Sequence, residues 1–378
     1  MKKRDKIVFV HFFNGFSGSP RVLESVIRVF KHKYDCELIT NDTNGFLDSV
    51  DIPKKKFAFD LSNNSVITLF RYLLGQIKIF FLVFKSCTKG DLVYINTTIP
   101  IFGALAAKIR GAYVVFHLHE DTDSLNFIHR TFAFFRRFVC DFEIFVSYYL
   151  FEKEHIPSKD FCVIYNSLPA EFLLVAQETQ RGYQVESENF IVLMVCSLKH
   201  YKGVLQFIEI ANLLKRRSEF SFRLVVSADQ EMVDYFFADI EIPPSVEIHT
   251  STSKISEHFK DAALLVNLSL PDAWVETFGL TILEGMAYSL PCIVPAVGGP
   301  CELVTDGENG FTLSAYECPK IANRIVEIFE DKDLYNSMAM NSAIKALKFS
   351  FPEYEQRLLT CMSAIHPANK EKRTEGSK

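Results

Sequence analysis

Pro271-Asp272-Ala273-Trp274-Val275-Glu276-Thr277-Phe278-Gly279-Leu280-Thr281-Ile282-Leu283-Glu284-Gly285-Met286-Ala287 sets two carboxylates eight residues apart in an otherwise apolar setting. The segment before it, Ala263-Leu264-Leu265-Val266-Asn267-Leu268-Ser269, reads as a buried strand, and the segment after Gly279 reads as a helix. Glu276 therefore falls at a strand-to-helix turn and Glu284 two turns into the helix. Carboxylates are rarely half-buried without partners, and the vicinal hydroxyls of a sugar or ribose would satisfy them. Thr277 is expected to cap the helix, leaving Phe278, Gly279 and Leu280 to offer backbone N–H groups to phosphate or sugar oxygens. Gly279 lets the backbone approach a ligand closely. On this reading Glu276 accepts from a hexose and Glu284 from both ribose hydroxyls. The competing reading is a surface Glu and a helix Glu with ordinary partners.

Outward from this block the chain repeats one rhythm. Strands are expected at Ile7–Phe12, Cys36–Thr40, Leu92–Ile95, Tyr113–Leu118, Ile144–Val146 and Phe161–Ile164, with helices at Pro20–Lys31, Ser65–Ser86, Ile99–Arg110 and Arg130–Cys140. Polar, aperiodic residues from Gln177 to Asn189 interrupt it as a linker. It restarts with strands at Phe190–Cys196, Phe222–Val226, Val246–His249, Ala263–Leu268 and Cys292–Pro295, and helices at Val204–Arg216, Ile255–Lys260 and Leu280–Tyr288. Such alternation means parallel sheets with crossover helices, so the fold class is α/β with two Rossmann-like domains. The expected boundaries are 1–176, a linker at 177–189, a second domain at 190–350, a terminal helix within 351–366 whose core is Glu353–Ala364, and a charged, disordered tail at 367–378.

Composition narrows the functions available. The 378 residues suffice for two cores, and the net charge of −5 carries no nucleic-acid footprint. Nine scattered cysteines without a C-x-x-C pair read as free thiols of a reducing compartment. The start, Met1-Lys2-Lys3-Arg4, is basic, but the apolar run Ile7–Phe13 is too short for a signal peptide and reads as a first strand. Arg71, Gln76 and Lys78 interrupt the longest apolar stretch, Val66–Phe84, which argues against a membrane span. Arg71, Lys78 and Lys85 instead fall on one stripe of Ser65–Ser86, and Arg130–Cys140 repeats the mixture of Phe and Arg. Either pattern suits peripheral contact with an anionic membrane or a core helix with one solvated face.

Three further elements carry chemistry. Ser197-Leu198-Lys199-His200-Tyr201-Lys202-Gly203 lies between a strand and a helix, where Lys202 and Lys199 could neutralise a diphosphate without a metal. The first βα loop, Asn14-Gly15-Phe16-Ser17-Gly18-Ser19-Pro20, lacks the G-x-G-x-x-G pattern; its Gly15 and Gly18 keep it tight, Ser19 is expected to cap, and Pro20 to open the helix. In His117-Leu118-His119-Glu120-Asp121-Thr122-Asp123, alternation puts both histidines on one side. A strand-end histidine facing an interdomain cleft, a structural pair, and a metal-dependent hydrolase site using His117, His119 and Asp121 are the alternatives.

Taken together these residues resemble glycosyltransferase family 4, the retaining nucleotide-sugar enzymes of GT-B fold. The match is carried by Glu276 to Glu284 and the Gly-Met-Ala that follows, by Gly298-Gly299-Pro300 to Gly310-Phe311, by Lys202-Gly203, by Tyr165-Asn166-Ser167, and by the final helix Phe351-Pro-Glu-Tyr-Glu-Gln-Arg-Leu-Leu. It covers nearly the whole chain and is weakest from Asn41 to Lys89. The resemblance implies two domains facing a cleft, with the terminal helix crossing back to the first. It implies Glu276, His119 and Lys202 as catalytic residues, with Glu276 and His119 on the donor sugar, Lys202 on the diphosphate and Glu284 on the ribose. Donor binding would also use Gly18, Ser197, Lys199, Phe278, Gly279 and Leu280. Where the family carries Gly-Arg-Leu this chain reads Cys196-Ser197-Leu198, so either Lys199 supplies the missing charge or diphosphate binding is weaker.

No metal or cofactor is implied; the donor is a nucleoside-diphosphate sugar, a UDP-sugar ahead of a GDP-sugar. The reaction implied moves a hexose with retention onto a glycan, lipid-linked, in the synthesis of O-antigen, capsule or exopolysaccharide. The expected location is the cytoplasm, at the inner face of the plasma membrane. The alternative of a non-catalytic nucleotide-sugar binding module stands against the presence of Glu276, Glu284 and Lys202 together.

Overall fold

The computed structural model describes residues 5–60, 64–122, 127–179, 190–250 and 255–365. The basic start at 1–4, Asp123, most of the expected linker and the tail at 367–378 lie outside the described residues. The chain divides into two compact units, Met1–Asn166 with Tyr354–Lys378, and Ser167–Glu353.

The first unit holds a seven-stranded parallel sheet: β1 (Lys6–Val10), β2 (Asp35–Asn41), β3 (Lys54–Phe57), β4 (Leu92–Asn96), β5 (Tyr113–Leu118), β6 (Phe142–Phe145) and β7 (Asp160–Val163). Their order is β3-β2-β1-β4-β5-β6-β7. The central strands are continuous apolar runs because helices cover both faces of a parallel sheet. Ile7, Val8, Phe9 and Val10 of β1 and Val93, Tyr94 and Ile95 of β4 are all buried.

Strand β3 reads Lys-Lys-Lys-Phe and sits at the edge, where charge discourages pairing with another chain. Lys55 pairs with Glu37 of β2 and Lys56 with Asp48 at 2.7 Å. That charged strand carries no apolar run, and the sequence reading passed over it.

Helices α1 (Gly18–Phe30), α2 (Ser65–Ser86), α3 (Ile101–Ile109), α4 (Phe127–Val139) and α5 (Tyr148–Glu154) connect these strands. One face of α2 is buried through Tyr72, Gly75, Gln76, Ile79 and Val83. Two glycines set its depth. A Cβ on Gly75 would lie 2.7 Å from the Phe12 ring, and one on Gly103 of α3 2.9 Å from Ile79. Under α4, the guanidinium of Arg136 is buried against Glu143 of β6 (3.3 Å) and Glu154 of α5 (3.5 Å). His155 closes the cluster on Glu143 at 2.9 Å.

The second unit begins with α6 (Ala170–Thr179) and holds a six-stranded parallel sheet in the order β10-β9-β8-β11-β12-β13. The strands are β8 (Phe190–Ser197), β9 (Phe220–Ser227), β10 (Val246–Thr250), β11 (Leu264–Val266), β12 (Cys292–Val294) and β13 (Gly310–Thr312). Its helices are α7 (Val204–Leu213), α8 (Gln230–Phe236), α9 (Ile255–Lys260), α10 (Leu280–Ala287), α11 (Pro300–Leu303), α12 (Cys318–Glu330) and α13 (Lys332–Leu347).

Three expectations are displaced. The unit boundary falls at Asn166, not at residue 176, because the Phe172 ring of α6 packs on Tyr288 (5.5 Å) and Phe259 (6.4 Å) of the second unit. Gln177 and Glu178, expected in the linker, lie in the last turn of α6. The terminal helix α14 (Phe351–Ile365) starts before Glu353: Pro352 is inside its first turn, where a missing N–H costs nothing, and from Tyr354 onward the helix belongs to the first unit. All nine cysteines are free thiols.

In both sheets the strand order reverses once, between β1 and β4 and between β8 and β11. Loops leaving the carboxyl ends of strands at such a reversal diverge and open a crevice, the usual ligand position in a doubly wound sheet. The loop at residues 14–20 follows β1, and the segments at 197–203 and 269–279 follow β8 and β11, so these three lie at the two reversals.

Candidate active site

In the second unit three loops converge, and glycines let them touch backbone to backbone. The turn after β8 runs through a short 3-10 segment, His200–Lys202, to Gly203 in the left-handed region (φ 79°). A Cβ on Gly203 would stand 2.0 Å from the Leu268 carbonyl oxygen. The Leu270 N–H donates to the Tyr201 carbonyl at 2.8 Å, which stitches this turn to the chain leaving β11. The loop after β12 closes on the other side. The Gly299 N–H donates to the Glu276 carbonyl at 2.9 Å. A Cβ on Gly298 (φ 84°) would lie 2.4 Å from that carbonyl oxygen, and one on Gly299 2.3 Å from the Thr277 carbonyl oxygen. The Gly298-Gly299-Pro300 loop is thus the support on which Glu276 rests.

Between these loops Lys202 Nζ lies 2.6 Å from Glu276 Oε2, and the buried Ser269 hydroxyl donates to the same oxygen at 3.3 Å. Trp274 and Tyr201 stack on each other at 5.4 Å, with Lys202 Nζ 5.3 Å from the Trp274 ring centre and 5.9 Å from that of Tyr201. Aromatic faces stabilise a cation without neutralising it. Glu284, in the second turn of α10, is 1% exposed. Helix α10 packs close to its strand because a Cβ on Gly285 would already lie 2.6 Å from the Leu265 side chain. Gly279, at φ 102°, is the residue that precedes the helix, so Thr277 does not cap it as expected. Ser197 ends β8, Lys199 is exposed, Phe278 is buried, and Leu280 opens α10. Of the two lysines, Lys202 is the one that meets Glu276.

In the first unit the βα loop after β1 is strapped down by residues 41–48. Buried Asn14 donates from its N–H to Asn41 Oδ1 (2.6 Å) and from Nδ2 to the Thr43 carbonyl (2.8 Å), while its Oδ1 accepts from the Leu47 N–H (3.2 Å). Gly45 passes so close that a Cβ there would be 2.3 Å from the Gly15 nitrogen. Gly18 is the first residue of α1; Ser17 precedes it, and Ser19 lies inside the helix and is not its cap.

His119 follows β5, its Nε2 2.9 Å from Asn96 Oδ1 and its ring 4.3 Å from that of His117. His117 Nδ1 is 2.8 Å from the Tyr94 hydroxyl. Burial holds these rings neutral, lowering His11 to about 4 and His117 to about 3. His119 is held well below its usual range by burial first and by the two neighbouring histidines second. Burial also pushes Glu120 up to about 7. Asp121 accepts from the Tyr149 hydroxyl at 2.6 Å. Among the described residues no three His, Cys, Asp or Glu side chains come together as a metal-binding group, so the hydrolase alternative gains no support from His117, His119 and Asp121.

Sequence reasoning missed Ser269, Trp274, Tyr201, Tyr94 and Asn96. Asn96 had a usable signal: a polar residue directly at the end of the apolar strand Leu92–Ile95.

Residues 176–345 match one protein family. That family is the glycosyl transferases group 1. Among curated relatives, the putative glycosyltransferase EpsD of Bacillus subtilis is 26% identical over 192 residues, covering 51% of this chain and 49% of EpsD. Spinach (Spinacia oleracea) sucrose-phosphate synthase is 27% identical over 119 residues, 32% of this chain and 11% of that protein. The chain therefore spans about half the length of the first relative and a small part of the second. Among solved structures, Anabaena Alr3699/HepE in complex with UDP and glucose is similar with a TM-score of 0.76 and 21% identity, over 95% of this chain and 99% of that chain. At that identity the likeness is one of fold: two Rossmann-like parallel-sheet domains of GT-B type.

Gly299→Ala is expected to lower stability by about 1–3 kcal/mol through overpacking against the Thr277 carbonyl. It should also change the fluorescence of Trp274, the only tryptophan, as the Glu276 turn shifts. Thermal unfolding and emission spectra check this; a variant unchanged in both would contradict the backbone contact.

Proposed function

We propose that this protein is a glycosyltransferase that takes its sugar from a nucleoside diphosphate. The observation that carries the reading is the Lys202–Glu276 contact of 2.6 Å at the β8/β11 strand reversal, with buried Glu284 on the helix that follows. The group 1 match over residues 176–345 supports it.

In this reading Lys202 meets the diphosphate and stabilises the charge that grows on it as the bond from the sugar's anomeric carbon to phosphate oxygen breaks. Glu276 accepts from sugar hydroxyls and Glu284 from those of the ribose. Helix α10 begins at Leu280, and Phe278, Gly279 and Leu280 offer amides at the end where the helix dipole favours anions. Ser197, at the end of β8, and Lys199, on the turn that follows, add to the donor site.

The acceptor hydroxyl attacks from the face the diphosphate leaves. Its oxygen bonds the anomeric carbon, its proton passes to the departing phosphate oxygen, and the configuration is retained. Glu276 is held by Lys202 and Ser269, which suits positioning and electrostatics rather than covalent attack. The fixed cation of Lys202 supplies charge neutralisation without a metal. The donor we favour is a UDP-hexose.

UDP at 100 times its dissociation constant should stabilise the protein by about 2.7 kcal/mol. Loss of a carboxylate that accepts from the ribose should weaken UDP by roughly 10- to 100-fold in Glu284→Ala. Glu276→Ala should abolish transfer with UDP affinity kept, and excess chelator should leave wild-type turnover intact. Titration calorimetry and a UDP-release assay read these. Equal UDP affinity in wild type and Glu284→Ala would sink the ribose assignment.

We further propose that the acceptor is a lipid-linked glycan of a surface polysaccharide and that the first unit docks on the inner, anionic face of the cytoplasmic membrane. Helix α2 is 22 residues long and contains an 18-residue window of mean hydropathy 1.7, long and apolar enough to cross a membrane, yet its buried face packs on α3 as part of the unit. Its other face exposes Val66, Phe70, Leu73, Leu74, Ile77 and Phe81. Helix α4 adds exposed Phe134, Phe135 and Phe138, with Arg137 over the Phe134 ring at 4.3 Å. The expected basic stripe is partly spent inside the protein, since Arg71 donates to the Asp60 carbonyl (3.2 Å) and Lys78 to that of Ala58 (3.0 Å). Lys85 and Arg137 are exposed cations of the two helices that can meet lipid phosphates. Vesicle sedimentation should show binding to phosphatidylglycerol over phosphatidylcholine, weakened by Phe135→Ser with Phe138→Ser. Equal sedimentation of wild type and double variant would remove the docking face.

A further inference from the structure

Two main-chain hydrogen bonds link Tyr201 to Trp274. The Leu270 N–H donates to the Tyr201 carbonyl at 2.8 Å, and the Trp274 N–H donates to the Leu270 carbonyl at 2.8 Å. The Ala273 N–H shares that second acceptor at 3.1 Å, so residues 270–274 wind into one turn. Asp272, exposed in the same turn, accepts from the Tyr316 hydroxyl. The backbone thereby brings the two rings together, and they stack at 5.4 Å with 24° between their planes.

Lys202 follows Tyr201 directly in the chain. Its Nζ lies 5.3 Å from the centre of the Trp274 ring and 5.9 Å from that of Tyr201, inside the cation–π range of about 6 Å. The same ammonium lies 2.6 Å from Glu276 Oε2. These partners act differently on it. A carboxylate neutralises the cation it holds, and an ammonium wholly committed to Glu276 would have little charge left for a second anion. Ring faces attract an ammonium through their quadrupoles and leave its charge in place. The Lys202 side chain is 15% exposed and that of Glu276 21%, so water screens the competition only in part. A lysine is a point charge on a flexible stem, so its place is set by what surrounds it.

We infer that Trp274 and Tyr201 are positioning residues: their stacked faces share the Lys202 ammonium with Glu276 and hold it where a diphosphate can take it over. The diphosphate rests on the glycosyltransferase reading; the hold of the rings on Lys202 does not.

The sequence has one tryptophan, so fluorinated tryptophan enters the full chain at residue 274 alone. Fluorine drains negative potential from the face of the indole with little change in its shape. Titration calorimetry with UDP, on proteins carrying one, two and three fluorines on that indole, reads the effect. Each fluorine should weaken UDP by about 1.5- to 3-fold, with log Kd rising in a straight line. The slope needs both partners, so it should vanish in Lys202→Met, which removes the ammonium and keeps the stem. A flat series in the otherwise wild-type chain overturns the inference, because rings that only fill space do not respond to fluorine. An equal slope in Lys202→Met overturns it as well. So does UDP that tightens with fluorine, because an electron-poor indole that binds better is stacking on the uracil.

A second measurement needs no nucleotide. In the chain labelled with ¹³C at lysine Cε, the Lys202 signal is assigned by its loss in Lys202→Met. Its protons should lie upfield of those of exposed lysines, moved by the two rings, and Trp274→Leu should return them part of the way. Lys202 protons at the position of exposed lysines in the wild type overturn the inference even if Trp274→Leu does not fold. A chain that shows the upfield protons yet does not bind UDP counts against the glycosyltransferase reading and not against the hold of the rings on Lys202.

Discussion

The second unit's site depends on main chain touching main chain. Lys202 and Glu276 belong to loops 74 residues apart in sequence, and they meet at 2.6 Å because no side chain stands between the backbones that carry them. Gly203 lets the lysine turn lie against the Leu268 carbonyl, while Gly298 and Gly299 let the next loop lie against Glu276 and Thr277. Any Cβ at these three places would fall within 2.4 Å of a carbonyl oxygen. Side-chain packing can repack around a change in volume, but a backbone contact at that distance cannot. The glycines therefore fix where the two charges sit. A charge pair of this kind owes its value to position, since an ammonium displaced from a growing negative charge stabilises it little.

The first unit reaches a comparable rigidity by another route, with side-chain amides in place of missing side chains. Asn14 holds the loop before α1 to residues 41–47, and Asn96 holds the start of α1 to His119. Both amides are buried, where an unmet donor or acceptor is costly, so each fixes its neighbours as strongly as they fix it. The histidines beside them are held neutral by the same burial, which makes them hydrogen-bonding groups rather than cations.

Much of this was legible in the sequence, and the reasons are local. The buried central strands announce themselves because parallel strands covered on both faces must be apolar throughout; Tyr113–Leu118 needed no adjustment. The same rule hides β3, whose lysines protect an edge, and it hides α6, whose polar end runs into the linker composition. Glu276, Glu284 and Lys202 could be selected by residue type and position on the strand-to-helix turns. Their supports could not. Trp274 acts through Tyr201 and Lys202, distant in the chain, and Asn96, though marked by its place at a strand end, gives no local sign of its partners Ser19 and His119. Capping was misjudged at Ser19 and Thr277 because the helices start elsewhere: α1 begins at Gly18 with Ser17 before it, and Gly279 precedes α10. The basic stripe of α2 was correct as a pattern, yet Arg71 and Lys78 find carbonyl partners on a neighbouring segment.

The central claim is that the Lys202–Glu276 contact and Glu284 form one donor site at the β8/β11 reversal. A crystal structure with UDP-glucose tests it most directly. The account requires the diphosphate on Lys202, the glucose hydroxyls on Glu276 and the ribose on Glu284. A well-occupied UDP-glucose whose diphosphate lies away from Lys202, or whose ribose does not touch Glu284, would contradict it.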